Sequence, residues 1–117
     1  NPHCVVFVNS VDKMDLTKIG PKFESDPLFP ERVNTEFVEF IDTHTIKMRV
    51  WERGSGETFA CGTGACASAV AAVLNNYCPK DEDIRVILKG GDLVINYKSD
   101  RTVFMTGEAE KVFDGVV

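Results

Sequence analysis

Long hydrophobic runs and an excess of positive charge are both missing from this sequence of 117 residues. No stretch approaches the roughly 20 apolar residues that a membrane-spanning helix needs, so we expect no membrane anchor. The chain carries 13 Lys and Arg against 18 Asp and Glu, for a net charge of -5. Nucleic acids and anionic membranes bind clustered positive charge, so neither is an expected partner. The opening residues, Asn1-Pro2-His3, include neither a basic segment nor a methionine, and we expect no signal peptide.

The cysteines and histidines lack the spacings of a disulfide framework or a zinc site. There is no Cys-x-x-Cys pair, and His3 and His44 do not fall at the positions typical of structural zinc ligands. We therefore predict reduced thiols, no bound metal and a cytoplasmic location, or the plastid stroma for a plant protein. The four cysteines are Cys4, Cys61, Cys66 and Cys78.

Alternating side chains predict a series of short strands. Ile46, Met48 and Val50 alternate with Lys47 and Arg49, which is typical of a strand with one buried face. The preceding segment completes a hairpin with it through a turn at residues 42–44. Strands are predicted at His3–Val8, Glu36–Asp42, Thr45–Trp51, Ile84–Leu88, Leu93–Tyr97, Thr102–Thr106 and Ala109–Phe113.

A short helix is predicted after Asp15, which is a typical N-cap residue. It carries Leu16, Ile19 and Phe23 on one side, at the spacing of a helix that packs one face against a core. Gly20-Pro21 is unfavourable within such a helix.

A second helix is predicted from about Cys61 to residues 75–77, where Pro79 stops it. Between Ala65 and Leu74 its only polar side chain is Ser68, so it is apolar on nearly every face and has to be buried. One buried helix among many strands predicts an α+β domain covering residues 1–117. We expect a mostly antiparallel β-sheet wrapped as a barrel or roll around that central helix.

Cys61 stands at the predicted start of this helix, immediately before Gly62-Thr63-Gly64. A helix N-terminus stabilises a thiolate, and its free N–H groups bind carboxylates, which the two glycines allow to approach closely. The alternative is that Cys61 is a small buried hydrophobe at an ordinary helix start. Composition alone favours that alternative, because free cysteines are usually buried.

The wider motif resembles the C-terminal half of the diaminopimelate epimerase family. The resemblance is carried by Phe59-Ala-Cys-Gly-Thr-Gly-Ala-Cys-Ala67, by Trp51-Glu-Arg-Gly54 and by Asn1-Pro-His3, and it extends over essentially the whole chain, with Phe29-Pro30 and Asn34 included. It implies a cofactor-independent amino-acid racemase or epimerase with two similar halves and a site in the cleft between them. The substrate would be LL- or meso-diaminopimelate, an intermediate in the synthesis of lysine and of cell-wall precursors.

The resemblance also implies the roles of individual residues. Inverting an α-carbon without a cofactor requires a base on one face and an acid on the other, and Cys61 matches one of two cysteines that serve. Gly62, Thr63 and Gly64 match the groups that bind the α-carboxylate. The other matching residues are His3 beside the thiols, Glu52 near the reacting amino group, Arg53 on the distal carboxylate, and Asn1 and Asn34 at the distal end.

The N-terminal half of the family, which carries the second cysteine, has no counterpart in this sequence. We therefore expect that half-domain as a partner and expect the isolated chain to be inactive, since one thiol exchanges a proton on one face only. The full-length protein is a candidate homodimer. Two other functions remain open: a racemase acting on proline or hydroxyproline, and a non-catalytic binding module on the same fold.

Overall fold

A computed structural model describes residues 3–24, 34–52, 56–58 and 62–107, which form seven strands and two helices. The predicted strands and both predicted helices within these ranges are present, with small shifts of their ends. The prediction for residues 109–113 lies outside the described residues. The elements are β1 (His3–Val8), α1 (Leu16–Glu24), β2 (Asn34–Asp42), β3 (Thr45–Glu52), β4 (Gly56–Thr58), α2 (Gly62–Leu74), β5 (Asp83–Leu88), β6 (Gly91–Tyr97) and β7 (Val103–Gly107).

The strands form one mixed sheet in the order β1-β2-β3-β5-β6-β7, with β4 added beside the end of β3. The β2–β3, β5–β6 and β6–β7 pairs are antiparallel, as predicted. The β3–β4 pair, which was not predicted, is also antiparallel, whereas β1–β2 and β3–β5 are parallel. In the part of the chain that the structure describes, the outer strands β1 and β7 do not pair with each other. The α+β class is confirmed, but the sheet is not closed and a barrel around the helix is not confirmed.

Helix α2 packs against one face of the sheet and forms the main core with it. Strand alternation places Ile46, Met48 and Val50 on this face, where all three are fully buried. Ala65 and Ala69 are equally buried on the helix, and their short side chains let the helix axis approach the strands. Ser68 is the polar side chain in the helix segment that was predicted to be buried. Its hydroxyl donates a hydrogen bond to the Gly64 carbonyl at 2.8 Å, so the buried hydroxyl has a partner inside the core.

One side of α2 is more open than the sequence predicts. Ala67, Val70 and Ala71 are only partly buried, and Leu74 is 64% exposed. These residues line a cavity of about 560 Å³, so the helix is buried against the sheet rather than on nearly every face. Neither helix among the described residues is long and apolar enough to cross a membrane.

Helix α2 ends at Leu74 and is capped by Asn76, three residues before the proline that was predicted to stop it. The φ of Asn76 is 65°, which is left-handed. The Asn76 N–H donates to the Val73 carbonyl at 3.0 Å, and the Tyr77 N–H donates to the Ala72 carbonyl at 2.8 Å. This pair of bonds is a Schellman motif, and asparagine is one of the residues that tolerate its left-handed position.

Helix α1 covers the opposite face of the sheet. The Asp15 carboxylate accepts hydrogen bonds from Thr17 and Lys18, which confirms the predicted N-cap and lowers the pKa of Asp15. Leu16 is buried against Phe37 in a second, smaller core, to which Ile19 also contributes. The Phe23 side chain lies outside the described residues.

Gly20 explains why α1 tolerates its Gly-Pro pair. The glycine lies directly against the indole of Trp51, and a Cβ atom at this position would be 2.1 Å from the Trp51 Cδ2 atom. Only glycine allows the helix and the indole to approach so closely. Trp51 packs in the second core.

Arg49 ties the short strand β4, which the sequence did not predict, to the rest of the domain. Its Nε and Nη2 atoms donate to the two Glu57 carboxylate oxygens at 2.7 and 2.8 Å. Its Nη1 atom donates to the carbonyls of Val11 and Met14 at 2.7 and 2.8 Å. The Arg49 hydrogen bonds lower the pKa of Glu57, so the pair remains ionised.

Candidate active site

Polar side chains interrupt the apolar face of the sheet at the end where α2 begins. His3 starts β1 and lies opposite Asn34, which starts β2. Glu36 lies opposite Val50, and Glu52, two residues after Val50, extends from the same face of β3. Because α2 packs on this face, the three strands bring His3, Asn34, Glu36 and Glu52 together near its first turn.

His3 and Glu36 form the closest pair in this group. The His3 Nδ1 atom lies 3.0 Å from Oε1 and 3.1 Å from Oε2 of Glu36. The Glu36 side chain has no exposed surface, while the His3 side chain keeps 15% of its own. The carboxyl group is therefore sealed in the sheet, and the imidazole lies between it and the cavity beside α2, which His3 also lines.

Burial shifts the titration of both partners towards their uncharged forms. It raises the pKa of Glu36 from 4.5 to about 8, and the negative charge of Glu52 adds to this rise. Burial also lowers the pKa of His3, while the negative charge of Glu52 acts in the opposite direction. At neutral pH the Glu36 carboxyl is thus protonated and donates to Nδ1, so the proton of the imidazole is on Nε2.

The first turn of α2 forms another wall of the same cavity. Thr63 is exposed and lines the cavity together with His3, Val5 and Cys66. The first N–H groups of a helix have no acceptor within the helix and carry the positive end of its dipole, so this turn suits an anion.

Gly62 fixes how closely this turn approaches β7. A Cβ atom at Gly62 would lie 3.2 Å from Cε and 3.3 Å from Sδ of Met105, which is tighter than an ordinary contact. A side chain at this position would push the helix start away from the strand. The glycine therefore serves the packing of the helix start, in addition to any contact with a ligand.

The structure brings together the predicted site residues that it describes. His3, Asn34 and Glu52 lie at one end of the sheet, and Gly62, Thr63 and Gly64 lie at the start of α2. Asn1, Arg53 and Cys61 are outside the described residues, so their predicted roles stay predictions. Cys66 is buried, as predicted, and its thiol donates to Sδ of Met105 at 4.0 Å.

Sequence reasoning missed Glu36. The predicted strand began at this residue, and a polar residue at the end of a strand is ordinary. The feature of the sequence that could have identified Glu36 is its position two residues before Val38, which places both side chains on the face that packs against α2. Within the described residues, no group of three or more His, Cys, Asp or Glu side chains is arranged to hold a metal ion.

The sheet and its central helix define the chain as an α+β domain of a fold that is also found in a solved protein of the PhzF family. That protein, a Bacillus anthracis phenazine biosynthesis protein, is 19% identical, with a TM-score of 0.59 over 86% of this chain and 33% of its own. At this identity the similarity shows the fold alone.

The sequence itself gives the closer relationship. Residues 1–112 match the diaminopimelate epimerase family, to which the chain belongs. Over the whole chain it is 55% identical to the diaminopimelate epimerase of Trichodesmium erythraeum, and over 99% of the chain it is 54% identical to that of Bacillus subtilis. The chain spans 42% and 41% of the length of these curated relatives.

Proposed function

We propose that this chain is the C-terminal catalytic half of a diaminopimelate epimerase, which interconverts LL- and meso-diaminopimelate. The observation that carries the proposal is the family match over residues 1–112. The arrangement of the described site supports it, because His3 and Thr63 line one cavity beside a helix start. The negative charge of Glu52 acts on His3 in the same site. The enzyme would be an isomerase of lysine biosynthesis that acts in the cytoplasm or the plastid stroma.

The proposed reaction exchanges the α-proton by acid–base chemistry without a cofactor. Cys61, which directly precedes the first residue of α2, is the group that removes or delivers the proton on one face. The N–H groups of the first turn of α2 would bind the α-carboxylate, on which negative charge grows as the proton leaves. His3 and Glu52 would adjust the proton affinity of the thiol, and Asn1, Asn34 and Arg53 would bind the distal end of the substrate.

A second thiol is needed on the opposite face of the substrate. The chain spans only about 40% of the length of its curated relatives, so we propose that another segment supplies this thiol. The chain alone would then fail to epimerise diaminopimelate. Dissolving it with the substrate in heavy water and following the stereochemistry tests this point directly, and sustained epimerisation would refute it.

The test of function replaces Cys61 in the full-length protein. We expect Cys61→Ala to lower the turnover of diaminopimelate by at least about 10²-fold to 10⁴-fold, the usual contribution of a general acid or base. Cys78→Ala is the matched control, because Cys78 is a buried thiol in the main core, beyond the opposite end of α2. Release of the α-proton into solvent measures both variants.

The same assay decides between the alternatives. Turnover of proline or hydroxyproline in place of diaminopimelate would support the racemase function. Unchanged turnover in Cys61→Ala would exclude the thiol mechanism. A complete lack of epimerase or racemase activity in the full-length wild-type protein would support the third alternative, a non-catalytic binding module.

A further inference from the structure

We propose that Glu36 is a positioning residue that acts through His3, holding its Nδ1 atom so that Nε2 is the ring atom presented to the cavity. The inference rests on the proposed function and goes beyond it, because no part of that function requires Glu36. It concerns a carboxyl group with no exposed surface, separated from the cavity by the imidazole that it contacts.

The Nδ1 edge of the imidazole is occupied by its hydrogen bond with Glu36. Both carboxyl oxygens lie within 3.1 Å of Nδ1, and Nε2 occupies the far edge of the five-membered ring. Among the described residues, His3 is the only hydrogen-bond partner of the Glu36 side chain. The hydrogen bond to Glu36 fixes the orientation of the His3 ring. Because Nδ1 is occupied by that bond, any exchange of protons with the cavity takes place at Nε2.

Packing does not explain a glutamate at this position. Its neighbours on the same face of the sheet, Val38 and Val50, are apolar and fully buried. A buried carboxyl group is costly unless its partner satisfies it, and an apolar side chain of similar size would avoid that cost. The chain nevertheless places a carboxyl group at this position, within 3.1 Å of Nδ1 of His3.

The pair also gives a proton path that balances. In the starting state the Glu36 carboxyl holds one proton and donates it to Nδ1, and Nε2 holds another. When Nε2 gives its proton to a basic group in the cavity, the carboxyl proton moves to Nδ1, and Glu36 becomes a carboxylate that accepts from Nδ1–H. The reverse transfers restore the starting state. The hydrogen bond persists throughout, so the ring does not have to rotate.

The other titratable groups near the pair come from the adjoining elements. Glu52 on β3 acts on both partners through its negative charge. The thiol of Cys66 on α2 lines the same cavity as His3. A replacement of Glu36 leaves all of these in place, so any change in the pH profile is attributable to Glu36.

The experiment is a double-mutant cycle in the full-length enzyme with Glu36→Gln, His3→Asn and the combined variant. We expect Glu36→Gln to lower kcat about 10-fold to 100-fold with KM changed less than about twofold, and to shift the pH profile of kcat. The combined variant should be no slower than His3→Asn alone, because Glu36 acts only through His3. Losses that multiply in the combined variant would overturn the proposal.

Glu39→Gln is the matched control. Glu39 lies on the same strand, and its carboxylate accepts from the Val11 amide at 3.0 Å. It points to the face covered by α1, because strand positions alternate, so we expect kcat and the pH profile to remain those of the wild type. An equal loss in both variants would mean that any buried carboxylate of β2 matters only for folding, and the proposal would fail.

A second measurement depends neither on activity nor on a replacement of Glu36. The ¹⁵N shifts of the His3 ring, assigned with His3→Asn, report which nitrogen holds the proton as pH changes. We expect the shifts of Nδ1 and Nε2 to move in opposite directions in one step, because Nε2 loses its proton as the carboxyl proton moves to Nδ1. Titration as in a free histidine, without this transfer from Glu36, would refute the pairing. If Cys61→Ala stays active while the two shifts move in opposite directions, the proposed function fails and the His3–Glu36 pair stands.

Discussion

The buried Glu36 carboxyl should make the stability of the domain depend on pH in a direction that can be calculated. Its pKa is about 8 in the folded protein and 4.5 for an ordinary glutamate. Between these values the folded state binds a proton that the unfolded state lacks. The contribution of Glu36 to stability is therefore fully present below pH 4.5 and is lost as the pH rises through 8.

At lower pH the titration of His3 changes the stability of the domain in the opposite direction. The effect of Glu36 is therefore measured at a pH above the titration of His3. Its folded pKa lies below 6.5, so the unfolded chain binds the extra proton up to about that value and stability rises with pH there. Between pH 6.5 and pH 8, Glu36 is the member of this pair whose titration changes the free energy of unfolding. At about 1.4 kcal/mol per pH unit, the wild type should lose about 2 kcal/mol relative to Glu36→Gln across that window.

Urea denaturation of the full-length wild type and of Glu36→Gln at pH 6.5 and pH 8 measures this difference. Every other titrating group is common to both proteins, so the change in their difference isolates Glu36. Glu39→Gln, measured alongside, gives the effect of the same substitution on a carboxylate that faces α1. If the difference between wild type and Glu36→Gln is the same at both pH values, Glu36 does not hold its proton in the fold, and the reasoning fails.

Two further predictions concern the face covered by α1. Gly20→Ala should destabilise the domain by about 1–3 kcal/mol, because the new Cβ atom would overlap the Trp51 indole, while the exposed Lys18→Ala on the same helix stays within about 0.5 kcal/mol in thermal denaturation. Arg49→Lys keeps the charge but loses the paired bonds to Glu57, so we expect a loss of about 1–3 kcal/mol. Lys47→Arg on the same strand is its control, and an equal loss there would contradict the role given to the Arg49 geometry.

Local patterns were sufficient to predict most strands and both helices. Alternation identified β3 and its buried Ile46, Met48 and Val50, because period two is a property of the strand itself. The strand β4 was missed because three residues carry too short a pattern, and its position depends on Arg49 contacting Glu57. The parallel β1–β2 and β3–β5 pairs were not predicted either, since the order of strands in a sheet depends on contacts between distant segments.

The candidate site was predicted only in part, and for a related reason. His3 and Glu52 came from the resemblance to a family, and no local pattern would have selected them. Glu36 has the alternation of a core position, but its role appears only when β1 pairs beside β2 and brings His3 to it. The open side of α2 was unexpected because apolarity predicts burial without saying what covers each face.

The His3–Glu36 pair joins residues that are 33 positions apart in the chain. A contact between positions this far apart in the chain requires the closure of a long loop, which costs conformational entropy. A slip of one residue between β1 and β2 would also turn His3 to the opposite face of the sheet. A chain with incomplete or misaligned strands therefore cannot form the His3–Glu36 pair. The hydrogen bond at Nδ1 thus reports that β1 and β2 are paired in the correct register.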